Sequence, residues 1–104
     1  MKIGFDNLAM ARVCRAHGVA KLESFGSVLR ADFRPDSDVD LLATLRPEAE
    51  SRTGLLEWVG LREELADLFG RPVDLLSRPL VERSRNPFRK AAILNHTETL
   101  YAEG

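Results

Sequence analysis

Two aspartates in alternate positions, Asp38 and Asp40, have the residue type and spacing of a metal site. Residues two apart on a β-strand face the same side, so their Cα atoms lie about 6–7 Å apart. At an effective dielectric constant of 20, two carboxylates about 6 Å apart repel by roughly 3 kcal/mol. Divalent cations bound by carboxylate oxygens relieve that repulsion and supply a catalyst. The pair therefore predicts a metal site, with a solvated strand start as the alternative.

A third carboxylate, Asp74, stands in an otherwise apolar segment from Val73 to Leu76. A buried strand carries an aspartate only where a partner or a metal satisfies it. If this strand pairs beside the strand of Asp38 and Asp40, three carboxylates converge. Such a cluster suits two Mg²⁺ ions about 3.5–4 Å apart, as in phosphoryl transfer. The alternative for Asp74 is a structural salt bridge to an arginine.

Upstream of the aspartates, Gly26-Ser27 follows a predicted strand and breaks it. Glycine lets the backbone approach a phosphate closely, and N–H groups at a helix start favour the anion. Arg30 lies one turn further on and can reach the same phosphates, or else it is a surface ion-pair partner. Ser37 is predicted as a turn or cap residue beside Asp38. Ten residues separate Ser27 from Asp38, and this spacing makes the combination specific.

The elements that must position these residues follow from apolar spacing and from helix and strand breakers. Gly18, and Gly70 followed by Pro72, predict helix ends, and Asn86-Pro87 predicts a helix start. The order predicts one α/β domain with a small sheet flanked by helices. We predict helices over about Asp6 to Ala16, Leu55 to Phe69 and Pro87 to near Tyr101, strands over Val19 to Phe25, Asp38 to Leu45 and Val73 to Ser77, and polar connections over Arg46 to Arg52 and Arg78 to Arg85.

Size and composition bound the function. A chain of 104 residues with 44% hydrophobic residues predicts one domain over residues 1–104. The formal net charge of -1 argues against a general polyanion binder, so no direct nucleic-acid partner is expected. The single cysteine, Cys14, excludes an internal disulfide and is predicted as a small semi-buried apolar residue. Without a secretory signal or a bilayer-length apolar stretch, the chain is predicted to be cytoplasmic and to have no membrane partner.

The segment from Phe25 to Arg30, followed by Arg34 to Leu42, resembles the signature of the polymerase-β-type nucleotidyltransferases. Within that superfamily it is most similar to the minimal nucleotidyltransferases, which include the MntA-type antitoxins paired with HEPN-domain toxins. The resemblance covers essentially the whole chain and is weak in the first and last helices. It implies a single minimal nucleotidyltransferase domain with a small mixed sheet flanked by helices.

The resemblance also implies roles for the candidate residues. Gly26 and Ser27 would hold the triphosphate, with Arg30 and Ser37 as further nucleotide-binding candidates. The three aspartates would be both metal ligands and catalytic residues, and Asp74 is in addition the candidate base. One departure is Ala31, where many relatives carry glycine, and it affects only the phosphate-side turn. The catalytic and metal-binding set is Asp38, Asp40 and Asp74.

The implied function is a Mg²⁺-dependent protein adenylyltransferase antitoxin that uses two Mg²⁺ ions. It would transfer AMP from ATP to a tyrosine of a cognate HEPN toxin, neutralise that toxin and form a hetero-oligomer with it. One alternative is an antitoxin that neutralises by binding alone. A second is a nucleotidyltransferase that acts on a small molecule, although such relatives generally carry an additional substrate domain.

The remaining chemistry-bearing residues are predicted to be structural. His17 and His96 are interpreted as structural or surface residues, and Trp58 and Phe69 as core or interface residues. A locally basic stretch is interpreted as a solvated face, with a contact surface for nucleotide phosphate or an acidic partner as the alternative. Its members are Arg78, Arg83, Arg85, Arg89 and Lys90.

Overall fold

In the computed structural model, the chain forms a mixed sheet with helices packed on both faces. The structure describes residues 6–25, 38–95 and 97–103. The strands are β1 (Val19–Phe25), β2 (Val39–Leu45), β3 (Val73–Ser77) and β4 (Glu98–Ala102). The helices are α1 (Asn7–Ala16), α2 (Pro47–Glu50), α3 (Leu55–Phe69), α4 (Arg78–Glu82) and α5 (Pro87–Leu94).

The strand order within the described residues is β3-β2-β1-β4. Strand β1 is antiparallel to both β2 and β4, whereas β2 and β3 run parallel. A parallel pair needs a crossover connection, and α2 and α3 lie between β2 and β3 in the chain. The sheet is therefore mixed, as the family resemblance predicted.

Side chains on the two faces of the sheet enter two separate apolar clusters. The first face carries Leu22, Leu41 and Leu75 into the main core. Helices α1 and α3 cover this face. The opposite face carries Phe25 and Leu42 into a smaller cluster with helices α4 and α5. The smaller cluster is completed by Ile93, Leu76, Val81 and Leu94. Leu41 and Leu42 are both 0% exposed, so β2 is buried on both faces at this point.

The first helix and its stop signal are confirmed. The side chain of Asp6 accepts hydrogen bonds from the backbone N–H groups of Leu8 and Ala9, which caps the start of α1. Gly18 has a φ of 71°, the left-handed conformation that glycine adopts without steric cost. A Cβ at this position would lie 2.3 Å from the Cβ of Ala49. Gly18 therefore allows both the turn into β1 and the close approach of α2.

The long helix α3 spans Leu55 to Phe69 as predicted, and Gly70 ends it with a φ of 69°. Leu61, Leu65 and Phe69 are its buried residues, whereas Leu55 in its first turn is 79% exposed. Trp58 packs against the core together with Phe69, which confirms the core interpretation of both aromatic residues.

Both predicted polar connections contain short helices. Within the first, α2 starts with a proline at its first helical position and buries Ala49 beneath Gly18. Within the second, α4 also has a proline near its start, and Ser77 accepts a hydrogen bond from the N–H of Leu80. The prediction of plain loops was wrong because both segments are too short to show an apolar period.

The last predicted helix was wrong beyond Leu94. Helix α5 starts at Pro87 with Asn86 as its cap, as predicted, but ends at Leu94. The chain then forms β4, a strand that pairs with β1. This segment contains Thr99 and Tyr101, residue types that favour strands, and pairing with β1 satisfies its backbone. Tertiary pairing therefore overrode the extrapolated helix.

No helix in the described ranges has the length and apolar character that crossing a membrane requires. Cys14 is fully buried in the main core, deeper than the predicted semi-buried position. Burial raises the pKa of its thiol to about 12, because the thiolate is poorly solvated there.

Candidate active site

The parallel pairing of β2 with β3 brings two of the three predicted aspartates together. Asp40 and Asp74 are register partners, flanked along the ladder by the pairs of Val39 with Val73 and Leu41 with Leu75. Register partners face the same side of a sheet, and here that side is opposite the main core. The two carboxylates therefore lie on one face, on strands about 4.8 Å apart.

Asp38 lies immediately before β2 and is exposed. The backbone N–H of Val39 donates a hydrogen bond to the carbonyl of Pro72, at 2.9 Å, so the chain just after Asp38 is joined to the approach to β3. Over residues 6–25, 38–95 and 97–103, no three acidic, histidine or cysteine side chains are close enough to hold a metal ion. The structure thus pairs Asp40 with Asp74, and the convergence of Asp38 with them stays a prediction.

The two paired aspartates differ in their surroundings. Asp40 is partly buried in the central part of the sheet, whereas Asp74 is exposed on the edge strand β3. The expectation that Asp74 is buried was wrong, because the face of β3 at this position is open to solvent. Among the described residues Asp74 makes no ion pair, so the alternative of a structural salt bridge is not seen there. The exposed carboxylate of Asp74 can therefore be reached by a ligand from solvent.

Two apolar side chains lie next to the partly buried Asp40 on its own face of the sheet. Phe25 is the register partner of Asp40 on β1 and is 7% exposed. Leu42, two residues after Asp40 on the same face, is fully buried. These apolar neighbours lower the local dielectric constant and strengthen electrostatic interactions at the carboxylate of Asp40.

A buried ion pair lies on the same face. One terminal nitrogen of Arg78 donates to both carboxylate oxygens of Glu23, at 2.8 Å each. The Nε of Arg78 donates to Glu82 at 3.1 Å, and the Nζ of Lys21 lies 3.8 Å from Glu23. The Glu23 side chain is only 3% exposed and that of Arg78 25%. The solvated interpretation of Arg78 was therefore wrong.

Sequence reasoning missed Glu23 altogether, although one signal was available. Glu23 stands in the middle of a predicted strand, between Leu22 and Phe25, where an unpaired charge is costly. That position requires a cationic partner, but the sequence offers 15 lysines and arginines. Only the tertiary structure selects Arg78 among them.

A cavity of about 300 Å³ opens further along β3 on the side of α4 and α5. It contains one cation and two serine hydroxyls among apolar side chains. Its lining is Leu76, Ser77, Leu80, Val81, Ser84 and Arg89. Leu76 is two residues beyond Asp74, so the cavity borders the carboxylate face. Arg83, Arg85 and Arg89 are all exposed, as the solvated interpretation predicted, and Arg89 also lines this cavity.

The remaining predicted site residues are the candidates for binding the nucleotide phosphates. Gly26, Ser27, Arg30 and Ser37 lie outside the described residues, as does Ala31. Their roles therefore stay predictions. Among the other residues, His96 also lies outside the described ranges, and His17 forms an ion pair with Glu64 of α3. That contact joins α1 to α3 and confirms the structural interpretation of His17.

Comparison with known proteins identifies sequence relatives. A family model described as a nucleotidyltransferase domain matches residues 9–100. A Methanocaldococcus jannaschii protein assigned as a protein adenylyltransferase is 35% identical over 79 residues, covering 76% of each chain. The protein adenylyltransferase MntA of Thermococcus cleftensis is 38% identical over 61 residues, covering 59% of this chain and 58% of that protein.

Solved structures share the fold. One assigned as a minimal nucleotidyltransferase is 31% identical with a TM-score of 0.65, covering 90% of this chain and 88% of the other. A toxin–antitoxin complex with AMP-PNP contains a chain with a TM-score of 0.66 at 16% identity, covering 94% and 74%. A complex of tri-AMPylated Shewanella oneidensis HEPN toxin with MNT antitoxin gives 0.58 at 15% identity, covering 93% and 70%. These likenesses confirm the predicted fold class.

Proposed function

Since the chain belongs to the nucleotidyltransferase domain family, we propose that residues 1–104 form a Mg²⁺-dependent protein adenylyltransferase that acts as an antitoxin. It transfers AMP from ATP to a tyrosine of a cognate HEPN toxin and thereby neutralises it. The single observation that carries the proposal is the register pairing of Asp40 with Asp74 on one open face of the sheet. That arrangement gives a phosphoryl-transfer enzyme its anionic metal-binding surface.

The choice of a protein as the acceptor is supported by the relatives. The Methanocaldococcus jannaschii and Thermococcus cleftensis proteins both carry the name protein adenylyltransferase. The choice of a HEPN toxin is supported by the shared fold of the MNT antitoxin that accompanies an AMPylated HEPN toxin in Shewanella oneidensis. A partner that brings its own acceptor hydroxyl also suits a domain of this size, and a hetero-oligomer with the toxin follows.

The donor set fits magnesium. Mg²⁺ prefers oxygen ligands and is usually bound by one or two carboxylates together with substrate phosphates. Asp40 and Asp74 supply carboxylate oxygens from neighbouring strands, and Asp38 is the third ligand in the proposal. When bound, two Mg²⁺ ions neutralise charge that develops on the transferred phosphoryl group. Gly26, Ser27, Arg30 and Ser37 bind the triphosphate of ATP.

The chain's own residues then have defined tasks in the reaction. The acceptor hydroxyl oxygen forms a bond to the α-phosphorus of ATP, the bond from that phosphorus to its bridging oxygen breaks, and pyrophosphate leaves. The hydroxyl proton passes to the carboxylate of Asp74, which is exposed and can be reached by an acceptor from outside the domain. Asp40, partly buried beside its register partner Phe25, acts as a metal ligand in this scheme.

The test is incubation of the chain with α-labelled ATP, MgCl₂ and the HEPN protein encoded beside it. We expect label on a tyrosine of the HEPN protein, and none with the Asp40→Asn or Asp74→Asn variant. Asp67→Asn is the matched control, because Asp67 is an exposed aspartate of α3 away from the site. Equal labelling by all variants would refute the catalytic assignment. Protection of cells by an Asp38, Asp40 and Asp74 triple asparagine variant would favour neutralisation by binding alone.

A further inference from the structure

The carboxylate face of the sheet is arranged in rows that cross the strands. Phe25, Asp40 and Asp74 form one row, since Asp40 is the register partner of both neighbours. The next row on the same face, one step of about 6.6 Å along the strands, contains Glu23, Leu42 and Leu76. Glu23 is thus separated from the aspartate row by a single step and lies two strands from β3.

Arg78 connects the far side of the sheet to that glutamate. It is the first residue of α4 and follows the last residue of β3 without an intervening loop. Its guanidinium crosses β2 to reach Glu23 on β1, where it contacts both carboxylate oxygens at 2.8 Å. The pair therefore joins the edge strand that carries Asp74 to the central strand β1, across the strand that carries Asp40.

Stability alone is a weak explanation for this contact. A buried ion pair loses hydration on both partners, and replacing it with apolar residues of similar volume is often neutral or stabilising. An ion pair that joins two strands can instead fix the position of one strand relative to the other. Strand β3 has five residues and, within the part of the chain that the structure describes, it pairs only with β2. A second contact that fixes the position of β3 therefore adds to its single ladder with β2.

The charges also matter for the neighbouring row. Glu23 is 3% exposed and lies diagonally from Asp40, so an uncompensated charge there would be a third anion on the same face. Arg78 supplies the compensating charge inside the sheet, with Lys21 at a longer distance of 3.8 Å. Cations that approach the face are then attracted to Asp40 and Asp74 rather than to Glu23.

We propose that Glu23 and Arg78 are positioning residues that hold β3 against β2 at the spacing at which Asp40 and Asp74 bind a divalent cation together. The inference rests on the proposed function for its catalytic meaning. Neither residue touches the substrate in this proposal. They act through the separation of the two carboxylates.

Binding of Mn²⁺, measured by electron paramagnetic resonance without nucleotide or acceptor, tests the proposal. The central variant is the apolar double substitution Glu23→Leu with Arg78→Leu, whose folding is checked by circular dichroism and thermal melting. Arg78→Lys is the second variant, because it keeps the charge but loses the planar fork. Arg46→Lys is the matched control, since Arg46 pairs with Glu103 on the surface at 2.5 Å.

We expect the folded double variant to bind Mn²⁺ about tenfold more weakly than the unaltered chain. Arg78→Lys should weaken binding in the same direction, and Arg46→Lys should leave it unchanged. A folded double variant with unchanged affinity overturns the proposal. If the double variant does not fold, unchanged affinity of Arg78→Lys overturns it instead.

A second readout separates this proposal from the proposed function. If the unaltered chain binds no Mn²⁺ either alone or with ATP added, or Asp40→Asn leaves binding intact, the metal-dependent function fails. The positioning role is then judged by amide hydrogen exchange in the ladder between β2 and β3. We expect at least about tenfold faster exchange there in Arg78→Lys, whereas unchanged exchange would overturn the positioning role.

Discussion

Asp40 and Asp74 are 34 residues apart in the chain yet directly opposite each other in the parallel pair of β2 and β3. Both side chains lie on the same face of the sheet, where Asp40 is partly buried and Asp74 is exposed. Two like charges on adjacent strands destabilise the sheet in the absence of a cation. A cation bound by both carboxylates would remove this repulsion.

Replacing either Asp40 or Asp74 with asparagine should remove most of the AMP-transfer activity. Asp40→Asn and Asp74→Asn are expected to lower AMP transfer by at least about 100-fold, the upper end of the loss seen when an outer partner of a metal ligand is removed. Initial rates with α-labelled ATP measure this. Asp74→Asn should leave the melting temperature in metal-free buffer unchanged or slightly raised, because it removes repulsion at an exposed position. A clear drop in melting temperature would instead assign Asp74 a structural role.

Two glycines with nearly the same backbone conformation should respond differently to alanine. Gly18 and Gly70 have φ values of 71° and 69°. At Gly70 a Cβ meets nothing within 4 Å, so Gly70→Ala should cost only the left-handed strain, about 1–2 kcal/mol of unfolding free energy. At Gly18 a Cβ would lie 2.3 Å from that of Ala49, and the overlap adds about 1–3 kcal/mol.

Urea unfolding followed by circular dichroism compares these two variants directly. The expected order is the unaltered chain, then Gly70→Ala, then Gly18→Ala as the least stable. Equal losses for the two substitutions would contradict the close packing of α2 against the turn before β1.

The buried thiol should make stability depend on alkaline pH. The folded state raises the pKa of Cys14 to about 12, from a reference value of 9.0. A raised pKa means that the unfolded chain loses its proton first. This contribution to stability is therefore complete below about pH 9 and is lost progressively as the pH rises toward 12. Melting temperatures at pH 8 and pH 10.5 measure the loss.

A Cys14→Ala variant is the control for that titration. It should be less stable at pH 8, because it leaves space in the core, but should lose less stability between pH 8 and pH 10.5. The native thiol should also react with a disulfide reagent only as fast as the chain opens. Identical pH slopes for the two proteins would show that other groups control the alkaline transition.

Truncation of Arg78 should be among the most destabilising changes outside the apolar core. Arg78→Ala leaves the carboxylate of Glu23 buried without its main partner, and breaking such a pair costs about 3–5 kcal/mol. Denaturant unfolding measures the loss. Arg46→Ala, which removes a surface pair, should change the midpoint far less. Arg78→Ala combined with Glu23→Leu should recover much of the stability, since no buried charge remains.

The sequence by itself determined the longer local elements in the first three quarters of the chain and the chemical type of the site. The sequence predicted a strand over Asp38 to Leu45, observed as β2, and a helix over Leu55 to Phe69 that ends at Gly70, observed as α3. Gly26-Ser27 and the aspartates at 38 and 40 indicated a nucleotidyltransferase. These properties depend on residues close together in the chain, where periodicity, turn chemistry and spacing carry the information.

Tertiary structure alone decided which distant groups meet. The segment from Glu98 to Ala102 became a strand because β1 offered an unpaired edge, and Arg78 entered the sheet because Glu23 needed a cation there. The opposition of Asp40 and Asp74 depends on the register of two strands joined through α3. A shift of one residue in that register would turn Asp74 to the other face. Register and pairing are set by the packing of the whole sheet, which no short segment of sequence encodes.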